Sequence, residues 1–149
     1  MEQRLDFYKA SPDAMKALIA LEVAVGKLGL EPALLDLLKL RASQINGCAF
    51  CVDMHVKEAR KDGHGEQWIA LVSAWHESPV YTAEERAVLG WTEALTNLAQ
   101  TRAPDADFAP LREHFTDEQI AKLTVAIGTI NVWNRLAVGF RGQHPIDPA

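Results

Sequence analysis

The chain has 149 residues, of which 48% are hydrophobic and 23% charged, the ordinary mixture of a globular protein. Its formal net charge of −5 argues against nucleic acid as the main partner, because phosphate binding needs concentrated Lys and Arg. No apolar stretch approaches the roughly 18 residues of a membrane span, and the first residues lack the order of a signal peptide. These features exclude a membrane partner and predict a cytoplasmic protein.

Helix signals dominate the first half of the chain, where no segment alternates apolar and polar residues as a half-buried strand would. Ser11-Pro12 predicts the start of a helix that ends or weakens near Gly26. Glu31-Pro32 opens a second helix through Leu40, which is apolar on nearly every side and is therefore expected to be buried all round.

The second half continues the helical pattern. Helices are predicted from residue 48 to about 60, over 66–76, and from 83 to about 98, the last of these following a capping box of Thr82 and Glu85. Thr116 and Gln119 repeat that capping signature before a final helix. With no repeat or linker evident, the sequence predicts a single all-α domain over residues 1–149, with about six or seven helices.

The chemistry is concentrated in Cys48, Cys51 and His55. The turn signal Asn46-Gly47 comes directly before Cys48, which is expected in the first turn of a helix, where unpaired N–H groups lower the pKa of a thiol. Three residues along a helix bring two cysteines to the separation that a disulfide requires. His55 is one further turn along, where its imidazole can take the Cys51 proton.

Such a trio can reduce a peroxide. One thiolate attacks the O–O bond and becomes a sulfenic acid, the second thiol closes the disulfide, and an outside reductant reopens it. The spacing alone leaves two alternatives open. One is a zinc site, for which Cys48, Cys51 and His55 supply only three of four ligands, and the other is a buried inert pair.

The segment from Leu37 to Ala59 resembles the core signature of the carboxymuconolactone decarboxylase and alkyl hydroperoxidase D superfamily, in its peroxidase-like branch. The most specific part is the run Gln44-Ile45-Asn46-Gly47-Cys48-Ala49-Phe50-Cys51, followed by Met54-His55. A second block from Ile130 to Val138 extends the resemblance over most of the chain.

The resemblance implies an all-helical fold, usually assembled as trimers or hexamers. We expect no bound cofactor or metal. It implies hydroperoxide reduction, with electrons returned by a dithiol donor such as a lipoyl group or a thioredoxin-like protein. By the family pattern Cys51 is the peroxidatic cysteine, Cys48 resolves it and His55 joins a proton relay. Asp36 stands where the family has a glutamate and is the candidate relay carboxylate. It can approach the cysteines only if the chain bends at Asn46-Gly47, since twelve residues of straight helix span about 18 Å.

Simpler roles compete for several of these residues. Asp36 could form an ion pair near Lys39 instead of joining a relay, and Glu58, three residues after His55, could orient the imidazole in its place. Trp133 and Asn134 could shape the site from the last helix or serve only in core packing. Two other functions also remain open. One is a decarboxylase-type lyase of the same superfamily, and the other is a non-catalytic redox-sensing or metal-binding oligomer.

Overall fold

The computed structural model describes residues 2–148, and all regular structure in that range is helical. The elements are α1 (Phe7–Ala10), α2 (Pro12–Gly26), α3 (Pro32–Ile45), α4 (Ala49–Lys61), α5 (Glu66–Ala70), a 3-10 turn (Leu71–Ala74), α6 (Ala83–Thr96), α7 (Leu98–Thr101), α8 (Asp105–His114) and α9 (Asp117–Gly139). The predicted all-α class is confirmed. The predicted count of six or seven helices is too low, because the described range holds nine α-helices.

The additional helices are those with the weakest sequence signals. Helices α1 and α7 have four residues each, too few for a hydrophobic period to be recognised. Helix α8 carries Pro110 in its interior, a residue that normally ends a helical pattern. The helix predicted over 66–76 stops at Ala70, and the chain continues as the 3-10 turn.

The helix starts follow the expected chemistry. Pro12 and Pro32 occupy the first positions of α2 and α3. At α6 the Thr82 hydroxyl accepts from the Glu85 N–H at 3.2 Å, and the Glu85 carboxylate accepts from the Thr82 N–H at 2.8 Å. Thr116 and Gln119 make the same reciprocal pair at the start of α9. Both predicted capping boxes are confirmed.

Helix α3 is the centre of the structure, as its all-round apolar sequence predicts. Leu37, Leu38 and Leu40 are fully buried, each 0% exposed. One face of α3 joins a core cluster built with α2, α6, α8 and α9, and the other joins a cluster built with α4, α5 and α6. This double burial fixes α3 between the two clusters and so determines where its C-terminal end lies. The single-domain organisation stays a prediction.

No helix within residues 2–148 combines the length and apolar character needed to cross a membrane.

Shortening a buried side chain at the centre of α3 tests this role. Leu38→Ala should lower the free energy of unfolding by about 2–5 kcal/mol, because a buried leucine leaves a cavity that its neighbours fill only in part. Leu98→Ala is the matched control, since Leu98 is 52% exposed, and it should change stability by no more than about 0.5 kcal/mol. Urea unfolding followed by circular dichroism measures both, and equal effects would contradict a central role for α3.

Candidate active site

The site is built where the chain reverses between α3 and α4. Helix α3 ends at Ile45, and Gly47 adopts a left-handed backbone with φ of 63°, a conformation that glycine reaches without steric cost. The Cys48 N–H donates to the Ser43 carbonyl at 3.0 Å, which closes the turn. The bend that the sequence analysis required at Asn46-Gly47 is therefore present.

Side chains from α9 hold this turn in place. The Asn46 amide donates to Asn131 Oδ1 at 3.0 Å and to Asn134 Oδ1 at 2.9 Å. The amide of Asn134, 1% exposed, donates in turn to the Ser43 hydroxyl at 3.0 Å. Buried amides of this kind are costly to leave unpaired, so the network fixes the turn against α9. Asn134 thus supports the site from the last helix, one of the two roles considered for it.

Cys48 and Cys51 form a disulfide, with 5.3 Å between their Cα atoms. The expected pairing distance is confirmed. Cys48 lies one position earlier than expected: it is the N-cap of α4, and its Sγ accepts the Cys51 N–H at 3.3 Å. A sulfur at that place receives the partial positive charge of the helix N-terminus, which stabilises a thiolate once the disulfide is opened.

His55 lies one turn beyond Cys51 on α4 and is 3% exposed. Its Nδ1 donates to Glu58 Oε2 at 2.7 Å. Since a carboxylate can only accept, this bond fixes the hydrogen on Nδ1 and leaves Nε2 with a free lone pair in the neutral ring. Nε2 is buried and has no hydrogen-bond partner within residues 2–148. The imidazole is thus oriented by Glu58, as one of the simpler readings suggested, and it has an unused acceptor.

The bond from His55 also acts on Glu58. It lowers the pKa of the Glu58 carboxyl, and this effect outweighs the opposing effect of burial. Glu58 is therefore held in its ionised form beside the imidazole.

Asp36 lies elsewhere on the α3–α4 pair. Its Oδ2 accepts from His64 Nε2 at 3.1 Å, and His64 stacks on Trp68 with ring centroids 4.1 Å apart. Because α3 and α4 run antiparallel from the turn, a residue ten positions before Asn46, the C-cap of α3, faces the far end of α4, about 15 Å along the helix from the turn. Asp36 thus has an ion-pair partner, as the simpler interpretation expected, but that partner is His64 and not Lys39, which binds Glu22 at 2.6 Å.

Burial raises the pKa of Asp36, and the neighbouring Asp62 carboxylate raises it further. The role of Asp36 as a relay carboxylate stays a prediction, because the carboxylate that contacts the imidazole is that of Glu58.

A cavity of about 420 Å³ leads to the disulfide from one side. Cys51 and His55 are part of its wall, whereas Cys48 is not among the lining residues. Cys48 and Cys51 have little exposure, 1% and 2%, and Cys51 is the one that borders this cavity. Most of the wall is apolar, formed chiefly by Phe7, Tyr8, Phe50, Met54, Ile130 and Trp133. Trp133 therefore does more than pack the core.

Two charged residues of the wall, Glu22 and Lys39, were not predicted as site residues; they line the cavity together with His55 and Glu58. Glu22 comes from α2 and bonds Trp133, 111 positions away, at 3.2 Å. Only the tertiary structure brings Glu22 and Lys39 to the site, and the sequence carries no spacing signal that could have revealed them there.

The described residues contain no cluster of three or more His, Cys, Asp or Glu side chains arranged to hold a metal ion. Cys48 and Cys51 are bonded to each other, and His55 is bonded to Glu58. The zinc alternative therefore has no ready ligand set in this part of the chain.

Comparison with known proteins places this fold and site in a family. Residues 12–94 match the carboxymuconolactone decarboxylase family. The uncharacterized protein YdfG of Bacillus subtilis is 39% identical over 138 residues, covering 93% of this chain and 94% of YdfG. The uncharacterized protein YnjA of Escherichia coli is 34% identical over 104 residues, covering 69% of this chain and 56% of YnjA. The chain therefore belongs to the carboxymuconolactone decarboxylase family, as its sequence motifs indicate.

Comparison with solved structures makes the family assignment more specific. A protein of unknown function from Agrobacterium tumefaciens, proposed to be the antioxidant defence protein AhpD, is 62% identical with a TM-score of 0.96, over 98% of this chain and 100% of that one. Within its family the chain is thus AhpD-like. The debrominase Bmp8 has the same fold at 17% identity, with a TM-score of 0.83 over 92% of this chain and 74% of that one.

The carboxyl groups of Asp36 on α3 and Glu58 on α4 should affect the stability of the fold with opposite pH dependence. The lowered pKa of Glu58 means that the unfolded chain binds its proton more tightly, so ionised Glu58 stabilises the fold above the ordinary value of 4.5, and this contribution is lost as the pH falls through the lowered value. The raised pKa of Asp36 has the opposite sign: protonated Asp36 favours the fold below 3.8, and this contribution is lost as the pH rises through the raised value.

Urea unfolding at about pH 3 and about pH 6 measures the difference. When the pH rises from about 3 to about 6, the free energy of unfolding of Glu58→Gln should fall relative to that of the unmodified chain. That of Asp36→Asn should rise relative to the unmodified chain over the same range. A change of the same sign in both variants would contradict the two environments described.

Proposed function

We propose that the protein is a thiol-dependent hydroperoxide reductase that acts in antioxidant defence, with Cys51 as the peroxidatic cysteine and Cys48 as the resolving one. The observation that carries this proposal is the position of Cys51 in a disulfide with Cys48 and at the wall of an apolar cavity that also contains His55. The 62% identity to a protein proposed to be AhpD supports the same activity.

In the first step the Cys51 thiolate attacks the nearer oxygen of the hydroperoxide. The O–O bond breaks, Cys51 becomes a sulfenic acid, and the leaving alkoxide takes a proton and departs as alcohol. His55 serves this step as the proton carrier: Nε2 accepts the thiol proton and then delivers it to the alkoxide. Glu58 holds the ring in the required tautomer and balances the charge of the imidazolium.

In the second step Cys48 attacks the Cys51 sulfur, the S–O bond breaks, and hydroxide leaves as water after protonation. The product is the Cys48–Cys51 disulfide, and the two electrons of the dithiol have reduced one peroxide. A dithiol reductant, such as a lipoyl group or a thioredoxin-like protein, then attacks Cys51 and displaces Cys48, which leaves a mixed disulfide on Cys51. The second thiol of the reductant breaks this bond, so that Cys51 is released as a thiolate and the reductant leaves as its own disulfide. The helix N-terminus stabilises Cys48 as a thiolate, which makes it the better leaving group.

Two other functions compete with this one. A decarboxylase-type lyase would not need the cysteine pair, so its activity would survive Cys51→Ser. A non-catalytic redox-sensing or metal-binding oligomer would form the disulfide with peroxide but would not turn over when reductant is supplied. A cytoplasmic location and a trimeric or hexameric assembly remain predictions alongside the proposal.

Replacing each of the two cysteines should block the reaction at a different step. Rapid mixing of the reduced protein with cumene hydroperoxide should consume both thiols of the chain and release one equivalent of cumyl alcohol. Cys51→Ser should abolish the rapid phase, whereas Cys48→Ser should release one equivalent of alcohol and then stop, because no thiol is left to resolve the sulfenic acid. Full turnover in Cys51→Ser would refute the assignment of the peroxidatic role.

Removing the proton carrier should slow the reaction without preventing disulfide formation. His55→Gln should lower the rate of peroxide reduction by about 10²–10⁴-fold, the usual contribution of a positioned acid or base. His76→Gln is the matched control, because His76 is 63% exposed and not among the cavity-lining residues. Equal rates in the two variants would remove His55 from the mechanism. A loss in Asp36→Asn as large as that in His55→Gln would establish Asp36 as the relay carboxylate.

A further inference from the structure

The polar side of the cavity contains an ion pair that the proposed reaction does not use. Glu22 from α2 and Lys39 from α3 are 2.6 Å apart, and their side chains are 31% and 17% exposed. The second oxygen of Glu22 accepts from Trp133 Nε1 at 3.2 Å. Both carboxylate oxygens are thus engaged, one by a cation and one by an aromatic N–H of the cavity wall.

This arrangement leaves no free positive charge for a ligand. Among the residues that line the cavity, Glu22, Lys39 and Glu58 are charged, two carboxylates against one ammonium group. Lys39 binds Glu22 directly and also acts electrostatically on Glu58. An anionic ligand would therefore meet a net negative wall when His55 is neutral, and burying an unpaired carboxylate in an apolar cavity is strongly unfavourable.

We propose that Glu22 sets the charge specificity of the cavity: by occupying Lys39, it makes the cavity a receptor for uncharged organic molecules and excludes those that carry a carboxylate. The proposal rests on the proposed function in taking this cavity as the substrate site. It restricts the substrate class to neutral apolar hydroperoxides, such as small aromatic or alkyl ones. Hydroperoxides that carry an acid group would be poor substrates.

A change at Glu22 should release this restriction. In Glu22→Gln the amide oxygen can still accept from Trp133, but the amide nitrogen is a donor and cannot pair with Lys39. Lys39 is then free to bind an incoming carboxylate. Glu118→Gln is the matched control, because it likewise removes one negative charge and the carboxylate partner of a lysine, Lys122. Glu118 is 76% exposed, and neither residue is among those lining the cavity.

The test measures binding rather than turnover, with two unreactive probes of nearly the same shape, 4-isopropylbenzamide and 4-isopropylbenzoate. Isothermal titration calorimetry on the disulfide form at low salt should give at least about tenfold tighter binding of the amide to the unmodified chain, a factor that corresponds to about 1.4 kcal/mol. Glu22→Gln should reduce that preference by about tenfold or reverse it, and Glu118→Gln should leave it unchanged.

Further variants keep the test decisive if Glu22→Gln folds poorly. Lys39→Met leaves Glu22 without its cation. The preference for the amide over the benzoate should therefore be larger in this variant than in the unmodified chain. The double variant Glu22→Gln/Lys39→Met should not gain benzoate binding, since it lacks the cation. Equal binding of the two probes to the unmodified chain, binding of neither, or an unchanged preference in both Glu22→Gln and Lys39→Met would overturn the proposal.

The outcome is separable from that of the proposed function. Selective binding without turnover of cumene hydroperoxide would refute the reductase and leave the charge specificity standing. Turnover of cumene hydroperoxide with no preference between the two probes would support the reductase and refute the charge specificity.

Discussion

The site depends on one constraint, the fastening of the α3–α4 turn to α9 through Asn46. Its amide donates to both Asn131 and Asn134, and Gly47 supplies the left-handed backbone that lets the chain reverse. Since Cys48 follows at once as the N-cap of α4, the position of the first sulfur is set by this network. Cys51 and His55 are then placed by the helix itself, one and two turns further on. A small shift of the turn would move all three groups together.

The same geometry makes the two sulfurs unequal. Cys48 caps the helix and accepts the Cys51 N–H, and it is not among the lining residues of the cavity. Cys51 belongs to the cavity wall beside His55. A helix N-terminus favours the thiolate of Cys48, which suits its proposed role as leaving group, whereas the position of Cys51 at the cavity suits its proposed reaction with substrate and reductant. The helix end at Cys48 and the imidazole one turn beyond Cys51 thus serve two different steps of the proposed cycle.

The sequence was sufficient where the determining contacts are local. Capping boxes at Thr82 and Thr116, helix starts at Pro12 and Pro32, and the Cys48–Cys51 pair all involve residues within a few positions of one another. It was insufficient for α1 and α7, which are too short to display a period, and for α8, whose Pro110 hides the helix.

Distant contacts were also beyond reach of the sequence. The position of Asp36 opposite His64 follows from the antiparallel packing of α3 and α4. The group of Glu22, Lys39 and Trp133 joins three helices, and no pattern within any one of them marks it. The sequence could indicate Glu58 as a partner of His55, because Glu58 is three residues away on the same helix. Spacing alone could not decide whether Glu58 or Asp36 contacts the imidazole.

In the proposed reaction, hydroperoxide oxidises Cys51 before Cys48. The direct measurement is to mix the reduced protein with a substoichiometric hydroperoxide in the presence of a trap for sulfenic acids, such as dimedone, and to locate the adduct by peptide mass spectrometry. We expect the adduct on Cys51, with greater yield when Cys48 is replaced by serine. An adduct on Cys48 alone, or on neither cysteine while peroxide is consumed, would contradict it.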